Sequence, residues 1–205
     1  MLRKRKEKKE EKEEKLMKLI KQHGKLYSVQ LDINLASKKE SELFKWFLAS
    51  ILFGKRIGEN IAAKTYGEFV KANVLTPNTI LKAGWNRLVE ILDEGGYVRY
   101  DFSTATRLLE ISKKLLSEYG SLTKLKESSE NEQELINKLL EFKGIGPVTA
   151  NIFLREMRTI WPVDPEPLPI VKKTAKRFEI NLKKFNRKSM RFMRLEAALI
   201  RLRKI

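Results

Sequence analysis

Residues 136–157 read INKLLEFKGIGPVTANIFLREM, with apolar residues at helical spacing on both sides of a glycine-rich turn. Gly144 and Gly146 flank Ile145, and glycine lets a backbone turn tightly and approach another molecule closely. Pro147 suits the first position of a helix, where its missing N–H is not needed. The segment therefore predicts a helix, a tight hairpin and a second helix.

The backbone amides at this turn form a candidate anion site. The first N–H groups of a helix have no partner within the helix, and they attract negative charge. In a basic protein, the most obvious anion is a phosphate of a nucleic-acid backbone. We therefore expect phosphate contacts along the hairpin, at Lys143, Gly144, Ile145, Gly146, Val148 and Thr149.

The charge of the chain is strongly positive and unevenly distributed. The 205 residues include 43 Lys/Arg and 26 Asp/Glu, a formal net charge of +17. Residues 1–25 hold 11 basic and 5 acidic residues, residues 172–205 hold 13 and 2, and residues 26–171 are neutral. This distribution predicts a polyanionic partner, most simply nucleic acid. For residues 1–15, a solvated helix or a frayed tail explains the interleaved Lys and Glu equally well.

Composition also narrows the class of protein. The absence of cysteine excludes disulfides, zinc–thiolate sites and iron–sulfur clusters, and it fits an intracellular protein. No segment approaches the run of about 18 apolar residues that spans a bilayer, and the N-terminus lacks the apolar region of a secretory signal. We expect a cytoplasmic monomer, associated with the nucleoid in a prokaryote, with the Lys/Glu usage of a thermophile.

Helical spacing of apolar residues along the chain predicts an all-α fold. Thr76, Ser103 and Asn131 are expected to begin helices, and Gly54, Gly95-Gly96 and Gly120 to end them. Residues 25–33 (KLYSVQLDI) are the only plausible strand and could equally form a loop. The predicted organisation is a basic extension (1–25) and one helical domain (26–205), which contains the hairpin (135–157), a Pro/Asp loop (161–169) and basic C-terminal helices (170–205).

The Pro/Asp loop places four of the six prolines around a single aspartate, Asp164, in the sequence WPVDPEPLP (161–169). Prolines stiffen a loop at little cost in entropy, so they suit a carboxylate that must be held in place. The simpler alternative is that Asp164 caps a helix that begins near Pro165.

The hairpin and this loop together resemble the helix-hairpin-helix (HhH-GPD) DNA glycosylases of the endonuclease III superfamily. The match runs from Leu140 to Ala150 in the hairpin and continues to Asp164, in the order that the family uses. Weaker similarity extends over residues 38–178. The resemblance implies a two-lobed helical fold that binds double-stranded, damaged DNA.

The resemblance also implies a chemistry. In the family an aspartate beside the sugar stabilises positive charge as the N-glycosidic bond breaks, after the base has been flipped out of the duplex. Asp164 takes that role here. Bifunctional members carry a lysine where this chain has Val148, so the resemblance favours a monofunctional glycosylase without lyase activity. Substitute nucleophiles would be the nearest lysines, Lys143, Lys172 and Lys173.

Further site residues follow from the same resemblance. A monovalent cation would be bound by the main-chain carbonyls of Leu140, Phe142 and Ile145, and no other cofactor is expected. The segment GGYVRYD (95–101) would supply a wedge into the DNA from Tyr97, Val98 or Arg99, with Tyr100 as a stacking surface. In the alternative, Tyr97 and Tyr100 are ordinary half-buried loop aromatics. Lys55 and Arg56 replace the glutamines of the family and favour contact with phosphate.

Five other side chains, three tryptophans and two arginines, have two possible roles or a structural one. Trp46 and Trp85 lie in apolar helical stripes and are expected in the core. Trp161 could line a base pocket or pack, and Arg155 and Arg158 could reach phosphate or only solvent.

Three functions remain open at this point. The first is a monofunctional DNA glycosylase of base-excision repair, and the second is a non-catalytic protein of the same fold that recognises damaged or abasic DNA. The third, an RNA-binding helical protein, fits the charge but explains the Asp164 loop poorly.

Overall fold

The computed structural model describes residues 2–204, with side chains described from residue 10 to residue 203. This part of the chain is helical and contains no β-strand, so the predicted all-α class is confirmed. No helix within it is long and apolar enough to cross a membrane. The helices are α1 (Leu2–His23), α2 (Tyr27–Gln30), α3 (Glu40–Phe53), α4 (Glu59–Lys71), α5 (Pro77–Glu94), α6 (Asp101–Lys114), α7 (Leu122–Glu127), α8 (Glu132–Leu140), α9 (Pro147–Arg155), α10 (Pro169–Arg177) and α11 (Met190–Arg201).

Helix α3 lies at the centre of the core and packs against α4, α7 and α9. Its apolar residues are buried on nearly every side. Trp46 is fully buried, and its indole N–H donates to the carbonyl of Phe153 at 3.0 Å, which confirms its predicted place in the core. The contact ties α3 to α9, the helix that follows the hairpin.

The predicted helix ends are mostly confirmed. Thr76 caps α5 with its side chain, and Gly54, Gly95 and Gly120 follow the ends of their helices. Asn131 caps α8 by accepting from the N–H of Glu134 at 3.0 Å. The prediction for Ser103 is wrong, because α6 already begins at Asp101.

The possible strand at 25–33 is also wrong, since Tyr27–Gln30 form a short helix. The buried carboxylate of Glu156 accepts hydrogen bonds from the backbone N–H groups of Tyr27 and Ser28, at 2.9 and 3.0 Å, and from the Ser28 hydroxyl at 2.6 Å. A carboxylate at a helix N-terminus satisfies amides that lack partners and favours the helix.

The second half of the predicted extension belongs to the packed structure. Helix α1 packs against α11, and Ile20 is buried in the core. The guanidinium of Arg201 donates to the carbonyls of His23 and Lys25, at 2.7 and 2.5 Å. Residues 16–25 therefore pack with the rest of the chain.

Candidate nucleic-acid interface

The glycine turn joins α8, which ends at Leu140, to α9, which begins at Pro147. Gly144 has φ +94°, a left-handed conformation that favours glycine. Gly146 is the N-cap of α9 and offers no side chain to its first amides. The turn thus has the open helix N-terminus that the sequence predicts.

The predicted phosphate contacts of two hairpin residues, Ile145 and Thr149, need correction. The N–H of Ile145 donates to the carbonyl of Phe142 at 2.9 Å, so it already has a partner, and the Ile145 side chain is buried. The Thr149 side chain is buried as well, whereas Val148 is 49% exposed. Contact with an anion is therefore left to the backbone of Gly146, Val148 and Thr149, because intrahelical bonds do not use the amides of a first turn.

The hairpin lies against α6, and Arg107 is the residue that covers it. A Cβ atom on Gly144 would lie 2.4 Å from the Cδ of Arg107, so only glycine fits beneath the arginine stem. Lys143 is paired with Glu110 of α6 at 3.0 Å. Sequence reasoning missed Arg107, because no local pattern shows that this residue of α6 meets a turn 37 residues later.

The turn that carries Lys55 and Arg56 lies beside the start of α9. A Cβ on Gly54 would lie 2.1 Å from the Thr149 hydroxyl oxygen, so the Gly54 backbone packs directly against the Thr149 side chain. Burial lowers the pKa of Lys55, and the positive charge of Arg107 lowers it further. Arg56 is exposed. Lys55 and Arg107 therefore belong to one cluster.

We expect Gly54→Ala to reduce the free energy of unfolding by about 1–3 kcal/mol, since the added methyl group overpacks the contact with Thr149. The matched control is Gly67→Ala within α4, where no atom lies within 4 Å of the added Cβ. That change should stabilise the helix by up to about 1 kcal/mol. Urea denaturation of both variants measures the difference, and equal effects would contradict the contact.

The segment 95–101 reaches the same region, but Tyr97 cannot be its wedge. Tyr97 is fully buried, and its hydroxyl donates to the carbonyl of Leu52 at 2.7 Å, which corrects the prediction. Val98 is 64% exposed, and Arg99 is exposed with its guanidinium over the Tyr100 ring. The candidates left at the surface are Val98 and Arg99.

Three segments predicted to contact DNA thus converge on Arg107: the hairpin, the 54–57 turn and the 95–101 loop. Arg107 adjoins Gly144, and its charge adds to the burial that lowers the pKa of Lys55. Burial raises the pKa of Tyr97, and the charge of Arg107 partly opposes that rise. We call this surface the Arg107 face, defined by Lys55, Arg56, Val98, Arg99, Arg107, Lys143 and the start of α9. Of its cations, only Lys143 pairs with a carboxylate from the described residues.

Trp85 is not in the core, contrary to the prediction. It is 40% exposed, its ring centroid lies 5.3 Å from that of Phe102, and its N–H donates to Thr106. The backbone leaves the helical conformation at Gly84, where φ is +72°. The prediction treated the apolar stripe as continuous through Gly84. The turn at Gly84 instead places Trp85 on a different side of the helix from the buried residues.

Asp164 is held by two arginines. One carboxylate oxygen accepts from Nε and Nη2 of Arg187, at 2.9 and 2.8 Å, and the other lies 3.4 Å from Nε of Arg158. Its backbone N–H donates to Glu132 at 2.8 Å. The alternative of a helix cap is wrong, because α10 begins only at Pro169.

Arg158 reaches neither phosphate nor solvent, because its side chain is fully buried. It pairs with the buried carboxylate of Glu196 and donates to the carbonyls of Pro165 and Arg155, at 2.7 and 3.1 Å. Arg155 is also buried, against the ring of Tyr27. Both predictions for these arginines are therefore wrong.

The Asp164 loop contacts both helices that flank the hairpin. Asp164 is bonded to Glu132, the first residue of α8, whereas the hairpin follows Leu140, eight residues and about 12 Å further along that helix. Beyond Asp164 the loop passes Asn151, whose amide donates to the Glu166 carbonyl at 2.8 Å. The loop therefore lies against the start of α8 on one side and against α9, about one turn after Val148, on the other.

A cleft of about 510 Å³ adjoins this loop. Its lining residues are Glu166, Pro167, Lys172, Leu182, Lys183, Phe185 and Arg187. Glu166 pairs with both Lys172 and Arg187, and hydrogen bonds from these cations lower its pKa. Trp161 is buried and packs edge-on against Phe153, which favours packing over a base pocket.

The predicted cation site and the substitute lysines stay predictions. The carbonyl of Phe142 accepts from Ile145 and has a second lone pair, so it could still bind a cation. Within residues 2–204, no group of three His, Cys, Asp or Glu could bind a metal ion. Lys143 and Lys172 are paired with carboxylates, and Lys173 is exposed.

Comparison with known proteins assigns no family to this arrangement. No protein-family model matches the sequence, and no curated protein or solved structure is significantly similar to it.

Proposed function

We propose that this protein binds double-stranded DNA through the Arg107 face, in the repair of damaged bases. The observation that carries the proposal is the convergence of three separate segments on one cationic surface. Each was predicted to contact DNA from a different part of the sequence, and Arg107 lies near all three. All of these residues come from one chain, so the proposed site needs no second copy.

The face offers the groups that a DNA backbone requires. The open first turn of α9 presents amides to one phosphate, and Lys55, Arg56 and Arg107 provide charge around it. Such contacts fix position without reading sequence. Val98, exposed at the tip of the 95–101 loop, is an apolar side chain of the kind that enters a distorted base step.

Base removal is the enzymatic form of this proposal. It uses Asp164 to stabilise the sugar cation and orient a water molecule, and it leaves an abasic site because Val148 cannot form a Schiff base. In the present pairing the Asp164 charge is compensated by Arg187 and Arg158. Arg187 must therefore leave before Asp164 can act, and a DNA phosphate is a suitable competitor for it.

The alternative is a non-catalytic protein that recognises damaged or abasic DNA. It is supported by the two ion pairs of Asp164 and by the position of that residue at the far end of α8. In this form, Asp164 fixes the proline-rich loop to the core, and the Arg107 face alone binds the damaged or abasic DNA.

Duplexes that each contain one lesion distinguish the two forms. The products are separated with and without hot alkali, for the wild type, for Asp164→Asn and for Asp32→Asn as an exposed control. Cleavage that needs alkali and is lost only in Asp164→Asn identifies a monofunctional glycosylase. Cleavage without alkali that borohydride traps would mean that a lysine acts. Binding without any product would favour the non-catalytic form, and no binding would reject the proposal.

A further inference from the structure

Helix α10 presents a row of cations to solvent. Its buried residues are Val171, Thr174 and Ala175, which face the core. The remaining positions include Lys172, Lys173, Lys176 and Arg177, and all four are exposed. The helix is thus amphipathic in the usual sense, but its polar side contains no acidic residue.

The segment that follows continues this cationic surface. In residues 181–189, Leu182 and Phe185 pack against the core, while Lys183, Lys184 and Lys188 are exposed. Helix α11 then begins with Phe192 and Met193 buried and with Arg191 and Arg194 exposed. We call the exposed cations of residues 172–194 the C-terminal basic surface.

Most lysines of this surface have no acidic partner. From residue 10 to residue 203, carboxylates pair only with Lys172, Arg187 and Arg191 among its cations. Elsewhere, lysines often sit one helical turn from a glutamate, as in Lys71–Glu68 and Lys138–Glu134. Among the side chains that the structure describes, no carboxylate pairs with Lys173, Lys176, Arg177, Lys183, Lys184, Lys188 or Arg194. Such a group repels itself unless a polyanion covers it.

We propose that the C-terminal basic surface is a second contact for DNA phosphates, in addition to the Arg107 face. The proposal rests on the proposed function, since it assumes that DNA is the partner. The two surfaces lie on different elements, because α10 packs against α11 and the hairpin packs against α6. Lysines act as point charges without base preference, which suits sequence-independent contact with a backbone.

A DNA backbone fits this surface better than a membrane does. A helix that binds a bilayer surface inserts an apolar face among the lipids. The apolar face of α10 is already buried through Val171 and Ala175. Ile170 and Phe178, at the two ends of α10, are partly exposed, but they do not form a continuous apolar face, so what α10 offers to a partner is mainly charge.

The test measures the salt dependence of binding to a 24-bp undamaged duplex. The triple variant Lys173→Gln, Lys176→Gln, Lys184→Gln removes three exposed cations, and each phosphate contact contributes about 0.9 to the slope of log K against log salt. The slope should therefore fall by about 2.7 in magnitude. The matched control is Lys82→Gln, Lys113→Gln, Lys124→Gln, three exposed lysines on α5, α6 and α7, which should leave the slope unchanged.

Two results would overturn the second contact. One is an equal slope for the wild type and the C-terminal variant, or an equal decrease in the control. The other is a C-terminal variant that keeps the wild-type slope for DNA but no longer binds phosphatidylserine vesicles, which would assign the surface to membranes. If Val148→Asp still weakens DNA binding in either case, the Arg107 face stands and only the second contact is rejected.

Discussion

Replacing Arg158 by leucine is expected to lower the free energy of unfolding by about 3–5 kcal/mol. The guanidinium is fully buried and pairs with Glu196, itself 1% exposed. Leucine would leave that carboxylate buried and uncompensated, which is the costly case for a buried ion pair. It would also remove the donor to the Pro165 carbonyl and the charge beside Asp164. Urea denaturation followed by circular dichroism measures the loss.

Two controls separate burial from charge. Arg87→Leu removes an arginine that pairs with Glu90 and Glu94 at the surface, and it should leave the free energy of unfolding nearly unchanged, because water screens exposed ion pairs. The double variant Arg158→Leu, Glu196→Leu removes both buried charges, so it should recover part of the loss. A loss below about 1 kcal/mol for Arg158→Leu alone would contradict the buried pair described here.

Replacing Val148 by aspartate is expected to weaken binding to duplex DNA about 100-fold, or by about 2.7 kcal/mol, at low salt. Val148 is the second residue of α9 and is 49% exposed, so an aspartate fits without disturbing the core. Its carboxylate would occupy the open amides of the first turn and repel a phosphate. A negative charge at a helix N-terminus is itself stabilising, so folding should be unchanged or slightly improved.

Val148→Asp is expected to weaken DNA binding while leaving folding unchanged or slightly improved, so unfolding would not explain a loss of binding. Val148→Asn is the matched control, because it has nearly the same shape as aspartate without the charge, and it should bind close to wild type. The difference between the two variants should shrink as salt is raised, since salt screens exposed charges. Equal binding by Val148→Asp and Val148→Asn would show that phosphate does not contact the start of α9.

Local pattern was enough to predict most of the fold. Helical spacing and glycine ends identified α3, α4, α8 and α9, because these signals lie within a few residues of each other. Sequence reasoning failed where a distant partner decides the outcome. The short helix α2 depends on the carboxylate of Glu156, which is far away in the sequence. Arg158 can be buried because it pairs with Glu196, which lies 38 residues further along the chain.

The candidate site was predicted in parts that the sequence could not assemble. The hairpin and Lys55 were recognised, but Arg107 was not, since its contact with Gly144 exists only in the folded chain. The Asp164 loop was recognised by its prolines, whereas Arg187 and Glu132, which bind the aspartate, lie in segments without any motif. Tyr97 was placed at the surface because a loop aromatic does not reveal where its hydroxyl donates.

The buried hydroxyl of Tyr97 has a consequence for the proposed contact with duplex DNA. By donating to Leu52 of α3, Tyr97 anchors the 95–101 loop to the most buried helix of the core, while the next residue, Val98, projects into solvent. The tip is thus preorganised and loses little conformational freedom when a partner arrives. The deformation needed for a close fit then falls on the DNA, so lesions that loosen base stacking should be favoured over intact duplex.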